Sequence, residues 1–138
     1  MVATTKNPLC DFRAVSSPAA GVKATATTTA PTAQTQPPNN NQVPYLVVQD
    51  ITASVASGTN NQAPIIVNLI DGTSGGTPIL WSAFVGAGTS ASQSIALSYL
   101  NIKCNSGFAT LEFNAAGGTL ASQSVAMGGY YGGGYAGQ

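Results

Sequence analysis

From Val43 onward the chain is a series of short segments whose apolar residues recur at every second position. Each segment closes on a cluster of Gly, Ser, Asn, Asp or Pro. Side chains of a strand point alternately to its two faces, so this period belongs to half-buried β-strands. Tyr45, Val47, Ile51, Ala53 and Val55 are expected on one face of the first strand, with Gln49 interrupting it. Asp50, Thr52 and Ser54 are expected on the other. Residues 65–70 form a short apolar run, interrupted by Asn68, the pattern of a strand covered on both faces or at a sheet centre. Ile79, Trp81, Ala83 and Val85 alternate with Leu80, Ser82 and Phe84. Ile95, Leu97 and Tyr99 alternate until the parity flips to Leu100, Ile102 and Cys104. A parity flip predicts a bulge or bend. A short helix from Ser92 is the alternative, because Ile95, Tyr99 and Ile102 also fit helical spacing. Ala109, Leu111 and Phe113 share a face of the next strand, and residues 120–127 form the last.

Strands about every 10–15 residues with turn clusters between them predict an all-β fold. The expected architecture is an antiparallel β-sandwich or jelly roll of about seven or eight strands. Its core is expected to hold Trp81, Phe84, Tyr99 and Phe113 between two sheets. Before Val43 the signal is weaker. Residues 1–20, broken by Pro8 and Pro18, read as an irregular N-terminal arm anchored by Phe12. On that reading residues 21–138 would fold without it. Residues 24–29 alternate Ala and Thr and predict a small-residue strand. Residues 31–42, with three Pro and three consecutive Asn, read as a loop within a sandwich spanning 21–131. Residues 132–138 read as a Gly/Tyr-rich tail.

Chemistry is scarce in this chain. Only 6% of its residues are charged, four basic and four acidic, and it has no His; an average soluble domain is roughly 25% charged. Imidazole-based triads and His-ligated zinc sites are therefore excluded. Net charge is zero, so no cationic surface for nucleic acid is expected. No apolar run reaches the ~20 residues of a membrane helix, and the N-terminal residues lack the apolar stretch of a secretory signal. Asp71 precedes Gly72 and reads as a turn residue. Asp50 and Glu112 fall on polar strand positions, where solvated or cross-strand paired roles are usual. No paired-carboxylate, calcium or phosphate-loop pattern occurs. The expectation is no catalytic residue, no metal, no cofactor and no enzyme. Cys10 and Cys104 have no metal spacing and read as buried free thiols, with a disulfide between them as the alternative.

Ala, Gly, Ser and Thr supply 65 residues in place of the missing charge. Small neutral side chains lose little entropy in a contact, and a weakly charged surface has little repulsion to keep copies apart. Such a surface suits a protein packed against neighbours, including copies of itself. Aromatic and Arg side chains are the usual anchors of such contacts. The candidate partner contacts are Phe12 and Arg13 in the arm, and Tyr130, Tyr131 and Tyr135 among the C-terminal glycines.

The stretches KATATTTAP, DITASV, NLIDGTSGGTPILWS, LNIKC, TLEFNAAG and SVAMGGYY occur in this order between residues 21 and 131. With them the chain resembles a group of small phage and prophage structural proteins. The resemblance implies a compact antiparallel sandwich used as a virion building block, made in the host cytoplasm. It brings no catalytic residues with it. The expected role is a capsid cement or decoration protein that binds the major capsid protein or other virion proteins. The alternative is a tail- or fibre-associated module that binds carbohydrate through Trp81 or the tyrosines.

Overall fold

A computed structural model of the protein describes residues 11–30, 45–56, 61–88, 93–116 and 121–132. These contain nine strands and no helix. They are β1 (Asp11–Ser16), β2 (Thr25–Thr29), β3 (Tyr45–Ala56), β4 (Asn61–Ile70), β5 (Ile79–Gly88), β6 (Gln93–Leu97), β7 (Ile102–Cys104), β8 (Phe108–Phe113) and β9 (Ser122–Gly132). One sheet, A, has the order β1-β9-β3-β6, with β7 also pairing with β3; the other, B, has the order β2-β8-β4-β5. Every pairing is antiparallel. Taking β6 and β7 as one interrupted strand, the first pairs with the last, the second with the second-last, and so inward to β4 and β5. That nesting is the jelly roll, a long hairpin rolled until its two halves face each other.

The inner faces follow from small and branched residues at alternate positions. Sheet A contributes Phe12 and Ala14, then Leu46, Val48, Ile51, Ala53 and Val55, then Val125 and Met127. Sheet B answers with Ala24, Ala26, Val67, Leu69, Ala109, Leu111 and Phe113. The Ala–Thr alternation of β2 thus turns Ala26 inward and leaves Thr25, Thr27 and Thr29 on the outer face.

Several expectations are corrected. Residues 11–16 are not an irregular arm but strand β1, in register with β9 from Asp11↔Tyr130 to Ser16↔Val125. Phe12 and Ala14 are core residues, so a chain beginning at residue 21 lacks part of its own core. In β3 the core parity changes at Gln49. Leu46 and Val48 face inward before it, and Ile51, Ala53 and Val55 after it, whereas Val47 lies on the opposite face. Gln49 is the extra residue of a bulge, since Val48 pairs with Gly129 and Asp50 with Gly128. The two glycines opposite the bulge are required by space, because a Cβ on Gly129 would collide with the Val47 carbonyl oxygen. The last strand, expected over 120–127, runs on through both glycines to Gly132.

Two aromatic rings are also placed differently. Phe84 is 70% exposed and Tyr99 fully exposed, so neither lies between the sheets; Phe113 does. The flip after Tyr99 falls in a break between β6 and β7, and the alternative helix from Ser92 does not form, since residues 93–97 are strand β6. Tyr99 sits in the break with φ of 59°, and the Leu100 amide donates to the Gln49 carbonyl at 2.9 Å. The interruption of one strand is thereby held by the bulge of its neighbour. The loop of residues 31–42, and the tail beyond Gly132, lie outside the described residues.

Candidate assembly surface

The carboxylates are the natural place to look for chemistry, and two of them are structural. Glu112 projects from β8 onto the outer face of sheet B, where it is almost fully buried. It accepts hydrogen bonds from Ser74 Oγ at 2.5 Å, the Gly75 amide at 2.9 Å and Lys23 Nζ at 3.1 Å. Thr110 Oγ1, on the same face, donates to the Gly72 carbonyl at 2.7 Å. Together these bonds strap the β4–β5 loop across the sheet. Gly75 has φ of 73°, a left-handed conformation that favours glycine. Burial by itself pushes the Glu112 carboxyl up. The bonds from Ser74, Gly75 and Lys23, with the Lys23 charge, outweigh it and hold the group below its ordinary range.

Asp71 is more than a turn former. Its carboxylate accepts from the Asn105 and Ser106 amides at 3.0 and 2.9 Å and so pins the β7–β8 turn. Burial raises its pKa, and the Ser106 and Asn105 hydrogen bonds more than reverse this. Cys104 is a buried free thiol. Burial, and then the nearby Asp71 charge, push it up to about 12, which leaves no thiolate for nucleophilic work near neutrality. Among the described residues no group of three or more His, Cys, Asp or Glu could hold a metal ion.

What the molecule does present is surface. The outer face of sheet A is built on register rows of short side chains. Val15, Ala126, Thr52 and Ala96 form one row, and Ser124, Ser54 and Ser94 another. In the next row Arg13, Gly128 and Asp50 lie side by side. Because Gly128 has no side chain, the Asp50 carboxylate occupies the space above it, and Arg13 Nη1 approaches Asp50 Oδ1 at 3.7 Å. Towards the end of β9, Tyr130 lies between Asp11 and Val47 in register. Lys103 Nζ sits 4.1 Å from the centroid of the Tyr45 ring.

The sequence-derived contact residues separate on this frame. Arg13 and Tyr130 do share the outer face of sheet A. Phe12 faces inward and is only 8% exposed, so it is not a contact residue of the free surface. Tyr131 also faces inward. Its ring lies 5.3 Å from that of Phe12, and its hydroxyl shares a 3.0 Å hydrogen bond with Thr28 of the opposite sheet. Tyr135 lies outside the described residues. Trp81 packs against the core and is half-buried. Missing from the expected set are Ile79, Leu80, Phe84 and Tyr99, the exposed large apolar and aromatic residues on and beside β5 and β6. A signal for them existed: β5 is apolar at both parities, as at Leu80 and Phe84, and Tyr99 stands at the parity flip.

No family model matches the chain, and no curated protein matches it. Among solved structures it is similar to the coat protein of tobacco streak virus, at 9% identity over 92% of each chain and a TM-score of 0.31. That likeness is too distant to carry an argument.

Proposed function

We propose that this chain is a virion structural protein, and specifically a phage capsid cement or decoration protein that binds the major capsid protein. The observation that supports this most is the outer face of sheet A. It is a broad plane of Ala, Ser, Thr and Val rows with one internal ion pair and few long side chains to immobilise. A rigid jelly roll presenting such a plane can lie flat on a shell. Many shallow contacts of low entropic cost would then staple neighbouring subunits. Jelly rolls serve in capsids and in lectins, so topology alone leaves the carbohydrate-binding module as a second reading. Trp81, half-buried against the core, offers less ring face as a sugar platform than that reading supposes.

The test is mass spectrometry of gradient-purified particles made from the genome that encodes the chain, followed by rebinding of purified protein to shells lacking it. The expected result is a stoichiometric component that rebinds. Rebinding should weaken when Thr52→Lys and Val15→Lys put long charges on the plane. Absence from particles overturns the proposal, and specific hits on a glycan array would favour the alternative.

A further inference from the structure

We propose that the chain self-associates through the side of the sandwich edged by β5 and β6. On this proposal β5 pairs antiparallel with β5 of a second copy, and Phe84, Leu80 and Tyr99 are its anchors. The proposal rests on edge geometry and does not depend on the virion reading.

Among the described residues β5 pairs with β4 on one side only. Its outer edge therefore presents a row of backbone donors and acceptors that another strand can satisfy. Proteins that keep such an edge to themselves place charges on it, shorten it or cover it. Here no residue from Gly72 to Ile102 is charged, a stretch that contains all of β5 and β6. Instead of charge the edge carries exposed apolar side chains, with Phe84 at 70%, Ile79 at 51% and Leu80 at 38%. Across the gap between the sheets, β6 ends at Leu97 and is followed by the fully exposed Tyr99.

Tyr99 adds an independent observation. A left-handed backbone is unfavourable for a non-glycine residue. The fold nevertheless holds this one at φ of 59°, through the Leu100 amide and the Gln49 bulge, and projects its ring into solvent. Strain maintained by a dedicated contact, with no burial in return, marks a residue that works outside its own chain.

The absence of charge identifies the occupant. A two-fold contact sets each residue against the same patch on its partner, so a patch of one sign repels itself and a neutral one does not. An acidic, basic or nucleic-acid partner finds nothing here to complement. A two-fold axis perpendicular to β5 runs the two strands antiparallel and continues sheet B into a second copy of itself. The area is of the right order. Two exposed aromatic rings bury roughly 150–250 Å² each, near half of the ~800 Å² per partner of an ordinary interface. Ile79, Leu80, Leu97 and the strand backbone supply the rest.

Sedimentation velocity of the full chain over a wide concentration range tests this. Wild type is expected to dimerise, and Phe84→Lys and Phe84→Glu each to weaken the dimer by about tenfold or more. An equimolar mixture of those two variants is expected to regain it, because opposite charges then face each other. Tyr99→Gly is expected to weaken association while thermal stability holds or rises, since Gly accepts the backbone angle without strain. Val15→Lys, on the exposed face of β1, is expected to leave association unchanged. A monomeric wild type overturns the proposal. So do Phe84 variants that associate as wild type does, or a Val15→Lys that dissociates as strongly. A chain that dimerises but is absent from particles overturns only the virion reading.

Discussion

The two sides of this sandwich solve the same problem in opposite ways. Where β1 and β2 edge the sheets, the chain passes directly from one sheet to the other and polar bonds tie the layers. Gln123 is buried and reaches across, accepting from the Ala24 amide at 3.0 Å and donating to the Ala115 carbonyl at 2.8 Å. The Gly21 amide donates to the Ala121 carbonyl at 2.7 Å, Thr28 bonds Tyr131, and Ser16 Oγ accepts from the Thr25 amide. Asp11, Arg13 and Lys23 stand on this side. On the other side β5 and β6 themselves carry no charge, and Phe84 and Tyr99 face water. The first side is tied by charge and by bonds between the layers, although Val15 and Val22 are exposed there; the second has the composition of an interface.

The same substitution on the two sides is the sharpest way to break that contrast. Phe12→Ala empties a core position and is expected to cost about 3–5 kcal/mol, whereas Phe84→Ala should stay within about 0.5 kcal/mol for the monomer. Urea titration of both variants checks this, and equal losses would erase the distinction. Next in size is Gln123→Ala, which strands a buried amide and carbonyl and should cost about 1–3 kcal/mol.

Acid titration probes the strap on sheet B, at an effect of about 1–3 kcal/mol for losing hydrogen bonds to a charged group. The Glu112 and Asp71 carboxyls are held below their ordinary values of 4.5 and 3.8. Their contribution is therefore present above those values and is lost as pH falls through the lowered folded ones. Glu112→Gln should be less stable than wild type at neutral pH and lose less on acidification. Thermal midpoints from neutral pH down to strong acid read this out, and parallel curves would show that Glu112 has no such role. The smallest effect is expected at Arg13→Ala. It removes an exposed ion pair worth about 1 kcal/mol or less, and high salt should abolish the difference from wild type.

Much of the architecture was legible because period-two patterning reports burial directly. Ala109, Leu111 and Phe113 face inward as their spacing requires, and so do Ile51, Ala53 and Val55. Gln49 and the flip after Tyr99 were visible as breaks in period, although not as a bulge and a break that hold each other. β1 was obscured by the prolines around it, although Phe12 and Ala14 already alternate with Asp11 and Arg13. Phe84 was misplaced because an edge strand need not bury its second face. Of the candidate contacts, Arg13 and Tyr130 share a face, whereas Phe12 and Tyr131 turn inward to close the core.

The sequence by itself determined an all-β, charge-poor chain without imidazole chemistry, since alternation and composition are local properties that survive any folding. Only the tertiary structure decided which residues of those strands meet. Register across the sheets assigned Glu112 and Asp71 to holding loops and placed Gly128 and Gly129 opposite the bulge. Strand order put β5 and β6, neither of which carries a charge, at the edges on one side of the sandwich. Those facts depend on contacts between distant segments, and no window of sequence contains both partners of such a contact.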